Sequence, residues 1–257
     1  MKRSAIPLLT TIAVLVFFYL PMLVLIVNSF NASRFGGTWA GFSLKWYQRL
    51  WHERDIWHAL QNTLLIAFSA TAASTLLGTM SAFALHRYRT RLQRIHYGLI
   101  YMPLVVPEIL MGMSLLLLFV ALNVRLGLLT VFLAHVTFCI SYVAMVVLAR
   151  LQDFDFSIVE AAMDLGANWW TTLWRVLAPL LAPGIAAGAL LAFTLSVDDF
   201  VITFFVAGPG ATTLPIRVYS MIKFGSTPLI NALSAIMLAV TFVIVWLSQR
   251  ITTEHAS

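Results

Sequence analysis

The chain has 257 residues, of which 61% are hydrophobic and only 10% charged, whereas a soluble domain carries about 25% charged residues. Together with a mean hydropathy of +0.91, this composition excludes most soluble enzyme classes and predicts a membrane protein. Lys and Arg number sixteen against ten Asp and Glu, for a formal net charge of +6, and in such a chain basic residues indicate topology before they indicate nucleic-acid binding. The single cysteine, Cys139, excludes an intrachain disulfide and gives no basis for a cysteine zinc site.

Six apolar segments are long enough to cross a bilayer as helices. A hydrocarbon core of about 30 Å needs about 20 apolar residues in helical form, and every backbone amide must find its partner within the segment. The segments are residues 8–28, 59–85, 97–122, 127–149, 184–206 and 231–248. The sequence therefore predicts an all-α membrane protein with six transmembrane helices in one domain, residues 1–257.

The first apolar segment follows Lys2 and Arg3 and is similar to a signal peptide. Its apolar run exceeds the 7–15 residues of a signal h-region, and no clear small-x-small cleavage site follows. We therefore expect a retained first span.

Basic residues in the loops predict the orientation, because those close to a span tend to stay cytoplasmic. The densest cluster lies between the second and third segments and consists of Arg87, Arg89, Arg91 and Arg94. Placing it inside puts nine basic residues in the cytoplasm and seven outside, with both termini cytoplasmic. The prediction depends more on the cluster than on this narrow total.

Two external loops follow from that orientation. The first, residues 31–58, is rich in aromatic side chains, which fits either an interfacial belt or a docking surface for an external partner. These aromatic residues are Trp39, Trp46, Tyr47, Trp51 and Trp57. The last, residues 207–230, contains Gly208, Pro209, Gly210, Pro215 and Pro228, a pattern that favours a structured turn region rather than a helix.

The one extended cytoplasmic loop, residues 151–183, predicts a helix–turn–helix finger. Ser157 and Glu160 have the spacing of a capping box at the start of a short helix. Gly166 can end that helix and turn the chain, and residues 168–177 then predict a second helix that stops near Pro179. Such a finger can dock in the groove of another protein and transmit rigid-body motion, whereas the simpler alternative is an ordinary surface helix.

The first helix of this finger reads Glu160-Ala161-Ala162-Met163-Asp164-Leu165-Gly166, and Pro179 follows at the end of the second. This pattern resembles the "EAA…G" coupling loop of prokaryotic ABC importer permeases, with the departure that Ala178 stands where many members have leucine. The resemblance implies a type I importer permease fold. It also implies that a separate ATPase is coupled through Glu160, Ala161, Ala162, Asp164, Gly166 and Pro179.

Further segments resemble the C-type permease subunits of spermidine/putrescine importers, and the similarity covers most of the chain. They are residues 28–31, 34–36, 46–47, 196–199, 214–215 and 219–221. The resemblance implies a bacterial inner-membrane complex with a second permease, two cytoplasmic ATP-binding subunits and a periplasmic polyamine-binding protein. This chain has no phosphate-binding loop of the G-x-x-x-x-G-K-[ST] type, so ATP and Mg²⁺ are expected on the partner ATPases, with no cofactor or metal in this chain.

Three acidic residues at membrane depth are candidates for the substrate pathway: Glu108, Asp198 and Asp199. Acids inside a membrane are costly and usually face a cavity or a partner, and carboxylates with apolar or aromatic surfaces suit the ammonium groups and methylene chains of a polyamine. We expect the third span to be broken near Pro107. Adjacent helical residues diverge by about 100°, so at least one of Asp198 and Asp199 should face the pathway, and the other can bond to a neighbouring helix.

Three further polar or aromatic residues are weighed beside these acids. Ser196 can orient a carboxylate or cap a local helix break, and Trp46 matches a position that the resemblance places near the substrate entrance, with an interfacial anchor as the alternative. His135, in the fourth span, is expected to bond to a neighbouring helix rather than to relay protons.

The sequence favours a non-catalytic permease subunit that moves a polyamine by alternating access. A related importer for another cation or small organic solute, such as ferric ion or an opine, stays open. An intramembrane aspartyl protease needs two carboxylates that converge from different elements, whereas Asp198 and Asp199 are neighbours. A passive channel or a scaffold is less favoured, because neither needs the finger.

Overall fold

The structure is a computed structural model that describes residues 6–34, 38–87, 92–152, 154–225 and 227–254, with the side chains of 6, 227 and 244–254 outside the description. Throughout these ranges the regular secondary structure is helical, apart from an isolated bridge between Asn31 and Phe42. The predicted all-α class is confirmed. Lys2, Arg3, Arg89, Arg91 and residues 35–36, which contributed to the predictions above, lie outside the described residues.

Twelve α-helices and one π-helical turn follow one another along the described chain. They are α1 (Ile6–Ser29), α2 (Lys45–His52), α3 (Arg54–Arg87), α4 (Gln93–Val105), α5 (Glu108–Ala121), α6 (Leu128–Gln152), α7 (Ser157–Asp164), α8 (Trp169–Thr172), the π-turn (Leu173–Leu177), α9 (Ala178–Asp198), α10 (Val201–Val206), α11 (Leu214–Lys223) and α12 (Thr227–Glu254).

Four helical stretches in the described residues are long and apolar enough to cross a membrane. They are Pro7–Ser29, Arg54–Arg87, Leu128–Gln152 and Trp169–Asp198. A fifth is possible if α4 and α5, which meet at an angle of 112°, form one broken span, and Pro228–Val243 in α12 is a shorter apolar helix. The structure thus supports four or five of the six predicted spans by length and composition, and it confirms the break near Pro107.

Two predicted boundaries are wrong. The fifth span, expected over residues 184–206, is interrupted, because α9 ends at Asp198 and α10 starts at Val201. The last external loop, expected to lack a helix, contains α11. Pro215 is the second residue of α11, where its missing N–H removes no intrahelical hydrogen bond, so this proline starts the helix instead of preventing it.

The chain divides into two compact units. The first contains residues 1–57 and 217–257, and in it α1 and α2 pack against α12. Its loop between α1 and α2 is held by Asn31, whose side chain donates to the Thr38 carbonyl and accepts from the Ala40 amide, both at 2.9 Å. Arg217 pairs with Asp55 at 2.9 Å and with Glu53 at 3.4 Å.

The second unit, residues 58–216, is built around α6. This helix packs against α4, α5, α9 and α10, and Val131, Ala134, Val143, Val147 and Leu151 on it are almost completely buried. Close approach to α6 depends on glycines of the neighbouring helices. Gly78 of α3 and Gly188 of α9 both face Val143, at distances that leave no room for a larger side chain at Gly78.

Replacing Gly78 by Ala is expected to destabilise this unit by about 1–3 kcal/mol, the usual cost of overpacking. The new Cβ would lie 2.7 Å from Val143 Cβ and 3.0 Å from the Ile140 carbonyl oxygen. The matched control is Gly98→Ala in α4, whose Cβ meets no atom within 4 Å and which should be neutral or slightly stabilising. Thermal unfolding of the purified protein in detergent measures both, and equal midpoints would contradict the packing argument.

Candidate functional site

The break between α4 and α5 follows from its prolines. Val106 adopts an extended conformation, with φ −71° and ψ 130°, as the residue before a proline usually does. Pro107 then forms the N-cap of α5, and Glu108 is the first residue of that helix. The carboxylate of Glu108 therefore lies at the positive end of the helix dipole, which favours a negative charge there.

The break between α9 and α10 contains neither glycine nor proline, and a carboxylate stabilises it. Asp199 is extended, with φ −61° and ψ 121°. Its Oδ1 accepts the Ile202 amide at 3.3 Å, and its Oδ2 accepts the amide and hydroxyl of Thr203 at 2.8 and 2.6 Å. These bonds satisfy amides at the start of α10 that would otherwise lack an acceptor.

Both breaks face one cavity of about 220 Å³ in the second unit. Three of the predicted pathway residues, Glu108, Asp198 and Asp199, contribute to its wall, so the structure brings them together. Aromatic and apolar side chains complete the lining, which comprises Pro103, Met111, Phe138, Tyr142, Leu195, Phe200, Val201 and Ile202. The cavity thus combines acidic groups with ring faces and short apolar surfaces.

The three acids differ in exposure and partners. Glu108 and Asp198 are exposed and, among the described residues, form no ion pair. Asp199 is almost buried, with 6% of its side chain exposed, and its Oδ2 lies 3.3 Å from Nε2 of His135. Two carboxylates are therefore open to a ligand, whereas the third already has several protein partners.

Ser196 lies behind the cavity wall and is buried, with its hydroxyl 2.7 Å from Nδ1 of His135. His135 itself is 1% exposed, and its Nε2 lies 2.8 Å from Oγ1 of Thr203. The expectation that His135 bonds to neighbouring helices is thus confirmed. The predicted direct role of Ser196 in the pathway stays a prediction.

Phe138, Tyr142 and Thr203 are functional-site residues that were not predicted from the sequence. A usable signal existed on α6, since residues 135, 138 and 142 have the spacing of one helix face and that face carries the histidine. Thr203 offered no such signal, because its role depends on the unexpected break before it.

Trp46 belongs to the first unit. It is buried in α2, and its Nε1 donates to the Asn31 carbonyl at 2.8 Å. The ammonium of Lys45 lies 4.8 Å from the centre of the Trp46 ring, a distance at which cation–π attraction acts. Its predicted contact with substrate stays a prediction.

The finger has the predicted first helix, α7, but a different cap. Ser157 is the first helical residue, and the N-cap position is Phe156, which makes no side-chain hydrogen bond. The predicted capping box is therefore wrong. Instead, the Asp155 side chain accepts the Ser157 amide at 2.9 Å. The hydrogen bonds from Ser157 hold the pKa of the Asp155 carboxyl below its usual value. The cap is therefore present at neutral pH and is lost only on acidification through that lowered pKa.

The turn of the finger agrees with the prediction, whereas the end of its second helix does not. Gly166 has φ +87°, a left-handed conformation that favours glycine, and Asn168 accepts the Thr171 amide at 2.8 Å as the cap of the next helix. The predicted stop near Pro179 is wrong. The helix passes through the π-turn and continues from Trp169 to Asp198, because widening the turn ahead of Pro179 relieves the clash that a proline causes within an α-helix.

The finger carries an apolar exposed surface. Leu165 beside the turn is 90% exposed, and Ile158, Trp170 and Trp174 are exposed as well. Its base is tied to the end of α3, where the rings of His86 and Phe156 stack at 5.1 Å. Exposed apolar patches of this kind mark protein interaction sites.

Residues 74–253, well over half of the chain, match the family described as "Binding-protein-dependent transport system inner membrane component". The chain belongs to this family. It is therefore a multi-pass component of an inner membrane, as its apolar helices also indicate.

Curated relatives within the family are similar over most of their length. The chain is 44% identical to the spermidine/putrescine transport system permease protein PotC of Escherichia coli (strain K12), covering 94% of this chain and 92% of the relative. It is 47% identical to the putrescine transport system permease protein PotI of the same strain, covering 86% and 82%. PotC of Haemophilus influenzae is 41% identical, with 93% of each covered.

Solved structures support the family fold at lower sequence identity. The chain matches a bacterial ABC transporter involved in import of the acidic polysaccharide alginate, with a TM-score of 0.74, 16% identity, and coverage of 97% of this chain and 98% of the other. A structure of a bacterial alginate ABC transporter in complex with a periplasmic protein gives 0.73, with coverage of 96% and 94%. The predicted ABC importer permease fold is confirmed.

Proposed function

We propose that this chain is a permease subunit that moves a polyamine, spermidine or putrescine, across the bacterial inner membrane. The observation that carries the proposal is the cavity between the two helix breaks, where the exposed carboxylates of Glu108 and Asp198 share a wall with aromatic rings. Permeases named for spermidine and putrescine transport are 41–47% identical to this chain, and this similarity supports the substrate class.

The chemistry of a polyamine fits such a wall. Each protonated amine loses hydrating water when it enters the cavity. A carboxylate replaces that water by accepting a charge-assisted hydrogen bond. Methylene groups between the amines gain from contact with apolar and aromatic surfaces, and an ammonium group is also attracted to a ring face. Glu108 and Asp198 are the proposed amine ligands, while Phe138, Tyr142 and Phe200 are the proposed surfaces for the carbon chain.

Energy for transport enters, in this proposal, through the finger formed by α7 and the helix that begins at Trp169. Its exposed apolar residues and left-handed turn at Gly166 suit docking against an ATPase. That helix continues without interruption to Asp198 at the cavity. Movement of the finger thus has a continuous helical connection to the proposed substrate site, as alternating access requires.

The proposed complex contains a second permease, two cytoplasmic ATP-binding subunits that hold ATP and Mg²⁺, and a periplasmic polyamine-binding protein. Both termini of this chain are proposed to face the cytoplasm, on the side of the finger. The chain itself is proposed to be non-catalytic. Its family membership and the solved alginate transporter with its periplasmic protein support an assembly of this kind.

The decisive experiment measures uptake of labelled spermidine and putrescine by proteoliposomes that contain the assembled complex. Asp198→Asn and Glu108→Gln should each raise the KM about 10–100-fold, because a charge-assisted contact contributes about 1.5–3 kcal/mol. Asp198→Glu and Glu108→Asp, which keep the charge, should cost less.

Uptake that needs ATP and is weakened by both neutral variants supports the proposal. An assembled complex that hydrolyses ATP but takes up neither polyamine would overturn the substrate and leave a permease for another cation or organic solute. Equal KM values in the wild type and both neutral variants would remove these acids from the pathway.

A second prediction concerns the finger. Gly166→Ala should lower the amount of polyamine taken up per ATP hydrolysed, because a left-handed conformation costs alanine about 1 kcal/mol more than glycine and distorts the docking turn. Gly225→Ala is the matched control, since Gly225 has nearly the same φ, +84°, and open space around it, but lies outside the finger. Equal coupling ratios in the two variants would contradict the assignment of the finger.

A further inference from the structure

A buried polar network joins the two sides of the break between α9 and α10. His135 of α6 lies at its centre, with Nδ1 2.7 Å from the hydroxyl of Ser196 on α9 and Nε2 2.8 Å from the hydroxyl of Thr203 on α10. All three residues are at least 97% buried. One imidazole thus connects the last turn of α9 to the first turn of α10.

The hydrogen bonds in this network have a definite order. The Thr203 hydroxyl gives its one hydrogen to Asp199 Oδ2 at 2.6 Å, so towards His135 it acts as acceptor. Nε2 of the imidazole therefore carries a proton, which also points to Asp199 Oδ2 at 3.3 Å. Nδ1 completes the bridge through its hydrogen bond with the Ser196 hydroxyl at 2.7 Å.

Asp199 is saturated by this arrangement. Its two oxygens receive the amides of Ile202 and Thr203, the Thr203 hydroxyl and the imidazole N–H. A carboxylate that already holds several donors in a buried site has little left to offer a cation. Asp198, the preceding residue, is exposed on the cavity wall and has that capacity.

We propose that His135 is a positioning residue for substrate binding, which it supports without touching the substrate. By bonding Ser196, Thr203 and Asp199 together, it holds the break in the one geometry in which Asp199 turns towards α6 and Asp198 faces the cavity. This inference rests on the proposed function, because the readout is binding of a polyamine during transport.

The experiment compares uptake kinetics of the reconstituted complex with wild-type chain, His135→Leu and His135→Gln. Leucine removes every hydrogen bond of the ring at similar size, whereas the glutamine amide can still donate near the position of Nε2. We expect His135→Leu to raise the KM for spermidine about tenfold. The reason is that a displaced Asp198 loses its hydrogen bond to an ammonium group of the substrate, and a hydrogen bond to a charged group is worth about this much. His135→Gln should recover most of this loss, and basal ATP hydrolysis by the assembled complex should stay unchanged in both.

A double-mutant cycle distinguishes an effect on the position of Asp198 from a general loss of folding or assembly. If His135 acts by placing the Asp198 carboxylate, His135→Leu should add little to the KM of Asp198→Asn, because the group being placed is already gone. Glu108 lies on the other break, so the effects of His135→Leu and Glu108→Gln on KM should multiply. Thr203→Val, which removes the central hydroxyl at constant shape, should reproduce the pattern and serves as the test if His135→Leu does not assemble.

Two results would overturn the inference. In one, the effect of His135→Leu on KM persists in full in the Asp198→Asn background. In the other, KM is unchanged in both His135→Leu and Thr203→Val. Failure of the proposed function is distinguishable from both, since the wild-type complex would then take up no polyamine at all.

Discussion

The need to pair every backbone amide and carbonyl inside a membrane governs the arrangement of this protein. An unpaired group in hydrocarbon costs several kcal/mol, so a helix can break at membrane depth only where protein or a polar cavity replaces the lost partners. The second unit contains two such breaks, before Glu108 and at Asp199, and both border one cavity. At one break the proline itself removes a donor, while at the other the Asp199 carboxylate accepts the freed amides. The presence of Asp199 in the cavity wall is therefore a direct consequence of how the second break is stabilised.

The two breaks also show what could be predicted from the sequence. Pro103 and Pro107 made the first break predictable, because a proline alters the backbone wherever it occurs. The second break contains neither proline nor glycine, and Asp199, which accepts amides of α10, also contacts His135, 64 residues earlier in the chain. The capping box at Ser157 failed because of a local competitor, since Asp155, two residues earlier, accepts the Ser157 amide. The all-α class, the break at Pro107 and the turn at Gly166 were predictable from local residues, whereas the break at Asp199 involves a contact with a residue far away in the chain.

The π-turn links the finger to the cavity in a way that the sequence did not indicate. Pro179 suggested a stop, and a stop would have separated the finger from the span that follows it. Instead, the helix from Trp169 to Asp198 is continuous over 30 residues, or about 45 Å at the usual rise per residue. One end of this helix carries the exposed tryptophans of the finger, and the other end carries the exposed carboxylate of Asp198. A continuous helix of this length can carry a displacement from the finger to the cavity, and the π-turn and Pro183 within it are places where it can bend.

Asp198 and Asp199 are adjacent in the cavity wall, but their different hydrogen-bond partners give them different roles. Bringing a cation to a carboxylate is favourable only to the extent that the carboxylate still lacks good donors, since it must give up those it already has. Asp199 would have to release two amides, a hydroxyl and an imidazole N–H that stabilise the break. Asp198 and Glu108, exposed on the cavity wall, form no ion pair among the described residues and have less to give up. A cation in the cavity therefore gains most from the two carboxylates on opposite breaks, and the buried acid contributes by keeping one of those breaks in place.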